Sequence, residues 1–251
     1  MKARNLNLFL FSIFIVFIIS LPVFCGNRFL PQRHTPWQLQ PFNNDSLSLF
    51  YKNNFRIIEE PPLEEFLRDS SEPLVTILVD GWGVPYEKNL LLQDFSLFDK
   101  KSSEFILHKR MFGFTAGAET EEFQRDSATG IYVYGGDTLS CKKKKKNLSI
   151  FFGEISCFEN EGDSGVIVTL DSLLTKTDWK RIAWTTSQTG TGNRDSLHMV
   201  LRNLAKLAKK HPNVSFSIQG THRPILGPPD VRRNYIAPWV PAVFVNVNKS
   251  L

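Results

Sequence analysis

Five polar, glycine-rich segments follow apolar runs of the chain and hold most of the residues that could do chemistry. They are Asp80-Gly-Trp-Gly83, Phe112-Gly-Phe-Thr-Ala-Gly-Ala118, Gly135-Gly-Asp-Thr138, the stretch from Thr185 to Asn193, and Gln219-Gly-Thr-His-Arg223. Asp80, Asp137 and His222 are the acidic and imidazole side chains that stand in three of these segments. Thr115 offers a hydroxyl, which attacks an ester only when a base or a metal lowers its pKa. Arg223, Arg232 and Arg233 read either as an anion-binding cluster or as a solvated basic surface. Asp80 and His222 have plain readings too, as turn residues hydrogen-bonded to nearby backbone. Cys141 and Cys157 flank a strand-like segment, where they either pair as a disulfide or stay as two thiols. No Cys-x-x-Cys or Cys/His zinc spacing occurs.

The elements that must position these residues alternate in type. Leu74–Val79 is a short β-rich run suited to a strand buried on both faces. A helix-compatible stretch, 89–98, follows, then strands over 103–107, 130–134 and 148–152. Asp163 or Ser164 caps a helix whose apolar positions are Val166, Leu170, Leu173 and Leu174. A strand over 181–186 leads to the clearest helix, with Leu197, Val200, Leu201, Leu204, Leu207 and Ala208 on one stripe. Asn193 or Asp195 caps it, and Pro212 stops it. Strands over 214–219 and 240–247 complete the pattern, which is α/β with a mostly parallel central sheet covered on both faces. In such sheets ligands gather beyond the carboxyl ends of the strands, where the five segments lie.

Lys2 and Arg4 precede an apolar stretch from Leu8 to Phe24, the layout of a signal peptide or an N-terminal membrane anchor over residues 1–26. Cys25 leaves lipidation open as a third reading. Residues 27–71, rich in Pro, Asn and Ser, read as an extended tether with short strands or a hairpin near Leu47 to Ile58, and 72–251 as the domain. The chain carries 30 Lys+Arg against 25 Asp+Glu, and Lys142 to Lys146 supply the whole excess. A nucleic-acid binder spreads its basic residues over a docking face, so that class is set aside. The lysine run is expected in a solvated loop. These readings place the protein in the cell envelope, in contact with a membrane through its N-terminus.

The apolar strand ending in Asp80-Gly-Trp-Gly83 resembles the first metal-binding strand of the alkaline phosphatase superfamily, which includes cofactor-independent phosphoglycerate mutases, sulfatases and phosphodiesterases. Thr115 lies where that family carries its nucleophile, Gln219 to His222 where it has an Asp-His turn, and Ala237-Pro-Trp-Val-Pro-Ala-Val-Phe244 is similar to its closing strand. The similarity runs from Leu74 to Phe244 and lies in order more than in letters. It implies a three-layer α/β/α domain, Thr115 as nucleophile, Asp80 and His222 as metal ligands with Asp137 as a third candidate, and zinc, manganese or calcium as the ion. The sequence departs from the pattern at Gln188 and Gly192, which stand where the family has Asp and His. Thr221 replaces the Asp before the histidine, and no histidine follows His222. Two adjacent metals need several anionic and imidazole ligands. The expectation is therefore a degenerate, non-catalytic member that needs no cofactor and binds an anionic small molecule or an envelope protein. The alternative is a metal-dependent phosphate- or sulfate-ester hydrolase with a reduced site.

Overall fold

Leu74–Val79 is a strand buried along its whole length, because both of its faces are covered. Val75 and Ile77 pack with helices from one side, while Leu78 packs on the other side with Phe123 and Leu148. The same alternation repeats in the neighbouring strands, where Ile182 and Trp184 join the first cluster and Ala183 the second, and Val133 joins the first and Tyr132 the second. This is the period-2 signature of a sheet sandwiched between two helical layers.

The computed structural model describes residues 46–59, 73–123, 130–159, 162–176, 179–187 and 192–246. The N-terminal hydrophobic segment, the first part of the expected tether and Gln188 lie outside the described residues. Among the described residues no helix is long and apolar enough to cross a membrane.

In chain order the helices are α1 (Leu49–Asn54), α2 (Lys88–Phe95), α3 (Thr115–Phe123), α4 (Thr138–Leu148), α5 (Asp163–Leu174), α6 (Arg194–Lys210) and α7 (Pro229–Arg233). The strands are β1 (Arg56–Ile58), β2 (Leu74–Val79), β3 (Val84–Pro85), β4 (Ser103–Lys109), β5 (Ile131–Gly136), β6 (Glu154–Glu159), β7 (Arg181–Thr185), β8 (Ser215–Gly220), β9 (Tyr235–Ile236) and β10 (Trp239–Val245). Eight of them form one sheet in the order β1-β4-β10-β8-β2-β7-β5-β6. Only β10 runs against its neighbours β4 and β8; the other pairings are parallel. β3 and β9 form a separate antiparallel pair. Helices α1, α2, α5 and α6 contribute to the larger core cluster, whereas α3 and α4 reach the opposite one through Phe123 and Leu148.

Two expectations are corrected here. Residues 46–59, read as part of the tether, belong to the domain. Leu47 and Tyr51 are buried in the main core, the Tyr51 hydroxyl donates to the Pro85 carbonyl, and β1 adds a parallel edge strand to β4. The second concerns residues 138–152. The lysine run lies on helix α4 rather than in a loop, and the strand after it begins at Glu154, not Leu148. Asp137 caps α4 by accepting from the Leu139 and Ser140 amides, both at 2.9 Å. Lysine is a good helix former but carries no apolar period, so this helix leaves no stripe to read.

Candidate functional site

The site grows from the register of β2 on β8. Val79 pairs with Gly220, and the Thr221 amide continues the ladder by donating to the Val79 carbonyl at 3.1 Å. Asp80 and His222, each just beyond its strand, therefore emerge side by side. His222 Nε2 lies 3.0 Å from Asp80 Oδ1. Thr115, the first residue of α3, completes the triangle: its Oγ1 donates to Asp80 Oδ1 at 2.7 Å and stands 3.1 Å from His222 Nε2.

Neighbouring backbone locks the three in place. The Asp80 amide donates to Thr186 Oγ1 at 2.8 Å, and the Thr186 amide donates to the Leu78 carbonyl, so the end of β7 braces the end of β2. Thr221 Oγ1 accepts from the Gly81 amide and donates to Asp80 Oδ1, both at 3.3 Å. Gly81 has φ 70°, in the left-handed region that favours glycine. A Cβ at Gly220 would lie 1.9 Å from the Trp82 carbonyl oxygen, so only glycine lets this turn press against β8.

Burial alone would raise the pKa of the Asp80 carboxyl. Hydrogen bonds from His222, Thr115 and Thr221, with the charge of His222, outweigh it and hold the group below its ordinary value. His222 Nδ1 sits 2.6 Å from the Arg223 carbonyl oxygen. A carbonyl only accepts, so Nδ1 carries a proton and Nε2 is the nitrogen that faces Thr115 and Asp80. When the imidazole is neutral, Nε2 is a base within reach of the Thr115 hydroxyl. When it is charged, Nε2–H is a donor to the Asp80 carboxylate.

A second, fully buried network fixes α3 against β8. Arg110 donates to Glu122 Oε2 at 2.6 Å, to Gln219 Oε1 at 3.0 Å and to the Gly220 carbonyl at 3.3 Å. Gln219 Nε2 closes the ring by donating to Glu122 Oε1 at 2.6 Å. Glu122 belongs to the helix that starts at Thr115, and Gln219 precedes His222 by three residues, so this ring sets the distance between hydroxyl and imidazole. Arg110, Glu122, Gln219 and Thr186 were not singled out in the sequence. The available signal was Glu119, Glu121 and Glu122 clustered on the helix after Thr115, but a buried glutamate and a solvated one look alike in a sequence.

The other expected site residues lie as follows. Asp137 is the α4 cap, and its carboxylate is engaged by Leu139, Ser140 and the Ser140 hydroxyl of its own first turn. These bonds outweigh its slight desolvation and lower its pKa, the Ser140 hydroxyl contributing most. Arg223 is half-buried, and its pKa is lowered first by burial and then by the charge of Arg232. Among the described residues no carboxylate pairs with Arg223, Arg232 or Arg233, and Arg233 is exposed at the end of α7. Gly192 has φ 79° and its Cβ position is crowded by Val231 and Pro224, so it is a packing residue before α6. Cys141 and Cys157 form a disulfide that ties α4 to β6.

The donor chemistry can be tested against the metals that the family resemblance implies. Among the described residues no group of three or more His, Cys, Asp or Glu side chains gathers to hold an ion. Asp80 and His222 meet, Asp137 does not join them, and Thr221 brings a neutral hydroxyl. One carboxylate and one imidazole do not offset two adjacent divalent charges. Among the described residues, the donors gathered at this site do not fit a two-metal centre.

No family profile matches the chain, and no curated protein matches it. Solved structures do. The likeness is one of fold, and one of the structures is described as a protein in the alkaline phosphatase superfamily. The phosphoglycerol transferase GacH of Streptococcus pyogenes, solved with sn-glycerol-1-phosphate, superposes with a TM-score of 0.47 at 11% identity over 72% of this chain and 71% of that one. The lipoteichoic acid synthase LtaP of Listeria monocytogenes gives 0.46 at 8% identity, over 69% and 65% of the two chains. An alkaline phosphatase superfamily protein of Vibrio parahaemolyticus gives 0.40 at 14% identity, over 69% and 60%. These are loose likenesses of fold and say nothing of substrate.

Proposed function

We propose that the protein is an exported or membrane-anchored alkaline-phosphatase-like domain that binds an anionic ester or another anionic group at the Asp80–Thr115–His222 cleft, without two-metal chemistry. The observation that carries this reading is the mutual hydrogen bonding of the three side chains beside a guanidinium pair that no described carboxylate neutralises. Arg223 follows His222 directly and feels the charge of Arg232. Two half-buried like charges are relieved by an anion, and a phosphate or sulfate accepts hydrogen bonds from both. The Cys141–Cys157 disulfide supports an oxidising compartment, and the apolar stretch from Leu8 to Phe24 supports export or anchoring.

A second reading rests on its own observation. Thr115 Oγ1 stands 3.1 Å from His222 Nε2, while the other ring nitrogen is held by the Arg223 carbonyl. A nucleophile, a base within reach and a group that orients the base are the parts of covalent catalysis. In this reading the Thr115 hydroxyl turns its proton from Asp80 to the neutral His222 Nε2 and attacks the phosphorus or sulfur of the ester; the bond to the ester oxygen breaks, and the departing alcohol takes the proton from His222.

One experiment separates the two. The purified full chain is titrated calorimetrically with inorganic phosphate and sulfate, and assayed on an aryl phosphate and an aryl sulfate with zinc, manganese or calcium added singly. Binding that is weakened in Arg223→Gln, with no turnover under any metal, supports the first reading. Turnover that disappears in Thr115→Ala supports the second. Neither binding nor turnover defeats both.

A further inference from the structure

Helix α4 carries five consecutive lysines, and its inward side is fixed by three anchors. Cys141 is tied to Cys157, Leu148 is buried in the smaller core cluster, and Lys144 pairs with Glu119 and sits 5.9 Å from the Tyr132 ring centroid. At 3.6 residues per turn these three positions share one side of the helix. The opposite side is then defined without ambiguity. Leu139 lies at its centre, flanked by Lys142, Lys143 and Lys146, with Lys145 at the margin. All four of these lysines are exposed, and among the described residues no carboxylate pairs with them. Leu139 is 64% exposed, and Ile150, in the turn that ends the helix, is 78% exposed.

We infer that this outward face of α4, with Ile150, docks on an anionic lipid bilayer. Charge complementarity selects the occupant: the rest of the chain is balanced, so the protein's whole positive excess sits on this one helix. Each lysine near an anionic leaflet adds about 1 kcal/mol, or about fivefold, to partitioning. The apolar groups select lipid over a soluble polyanion. Leu139 and Ile150 gain from entering the headgroup boundary, while the lysine stems lie along it and keep their ammonium groups in water. A nucleic acid or a polysaccharide would use the charge and leave both apolar side chains wet. The surface is independent of the Asp80–Thr115–His222 cleft and of its function.

The test uses the full chain in lipid nanodiscs, one set of phosphatidylcholine alone and one of phosphatidylcholine mixed with phosphatidylglycerol. The rate of lysine acetylation is read residue by residue by mass spectrometry. Protection of Lys142, Lys143, Lys145 and Lys146 is expected only in the anionic discs, falling about fivefold for each neighbouring lysine changed to Gln. Lys144, already paired, should react alike in both. The double variant Leu139→Ser/Ile150→Ser is expected to lose protection while keeping its charge. Equal labelling in the two discs overturns the inference. So does protection that survives the double variant, because the surface would then be a general polyanion site.

Discussion

The Trp82 indole donates to Asp94 Oδ2 at 3.0 Å and thereby ties the turn that carries Asp80 to helix α2. Asp94 is completely buried and holds a second partner, Arg194 at the start of α6, whose Nη2 and Nη1 lie 2.6 and 3.1 Å from its two oxygens. His198 Nε2 is 2.9 Å from Oδ1, outside hydrogen-bond geometry. One carboxylate thus links the first βα turn to two helices on the same face of the sheet. Breaking a buried pair from one side leaves the other charge uncompensated. Asp94→Ala is expected to lose about 3–5 kcal/mol of unfolding free energy in urea titration. Trp82→Phe, which keeps the ring and removes the donor, should lose about 1–3 kcal/mol. An Asp94→Ala loss no greater than that of an ordinary surface substitution would show that the pair does not hold the turn.

The depressed Asp80 carboxyl sets a direction for pH. Its pKa is below the ordinary 3.8 in the folded protein, so the ionised form binds the fold more tightly than the protonated one. The stabilisation is complete above the unfolded value and is lost as pH falls through the folded one. Asp80→Asn should therefore be less stable than the parent at neutral pH. The difference should shrink as pH falls below 3.8, where the unfolded parent takes up the proton, and vanish below the lower folded value, where the folded parent loses its charge as well. Urea midpoints of both proteins at neutral and strongly acid pH check this. A difference that stays constant into the acid range would remove His222 and the two threonines as the source of the shift.

The Cys141–Cys157 bond closes a loop with a sequence separation of 16. Cross-linking such a loop restricts the unfolded chain by about 3 kcal/mol in the chain-entropy account. The double variant Cys141→Ser/Cys157→Ser should be destabilised by about that amount, and a reducing agent should lower the parent to the same level while leaving the variant unchanged. Loss in the variant without any effect of reductant would mean that the thiols are free in the purified protein.

What the sequence disclosed and what it hid follow from one physical distinction. Leu74–Val79, the α6 stripe and the Asn193 cap were readable because apolar period and cap chemistry are local. The rim of polar segments was readable because parallel sheets put loops there, and the meeting of positions 80, 115 and 222 follows from strand order. The α4 helix escaped because lysines have no buried period. The Arg110–Glu122–Gln219 ring escaped because a charged residue's burial depends on a partner remote in the chain; residues 110 and 219 meet through the pairing of β4, β10 and β8. Asp137 misled for a related reason: a carboxylate after a strand can serve a ligand or the next helix, and here it serves α4.

His108 offers the last test, because it is a histidine that the fold keeps from its proton. It is fully buried on β4, its Nδ1 lies 3.2 Å from the Lys109 carbonyl oxygen, and its Nε2 has no hydrogen-bond partner. Desolvation, and then the charge of Arg110, push its pKa well below 6.5. The unfolded chain takes up this proton as pH falls below 6.5, while the folded one does not, so stability declines on acidification through that window. The slope from this residue is at most about 1.4 kcal/mol per pH unit. His108→Phe removes the slope and the orphaned nitrogen together. The variant is expected to be more stable than the parent near pH 5 and to show a flatter pH profile between about 5 and 7. Parallel profiles for the two proteins would mean that His108 is protonated in the fold, with its charge met by a partner outside the described residues.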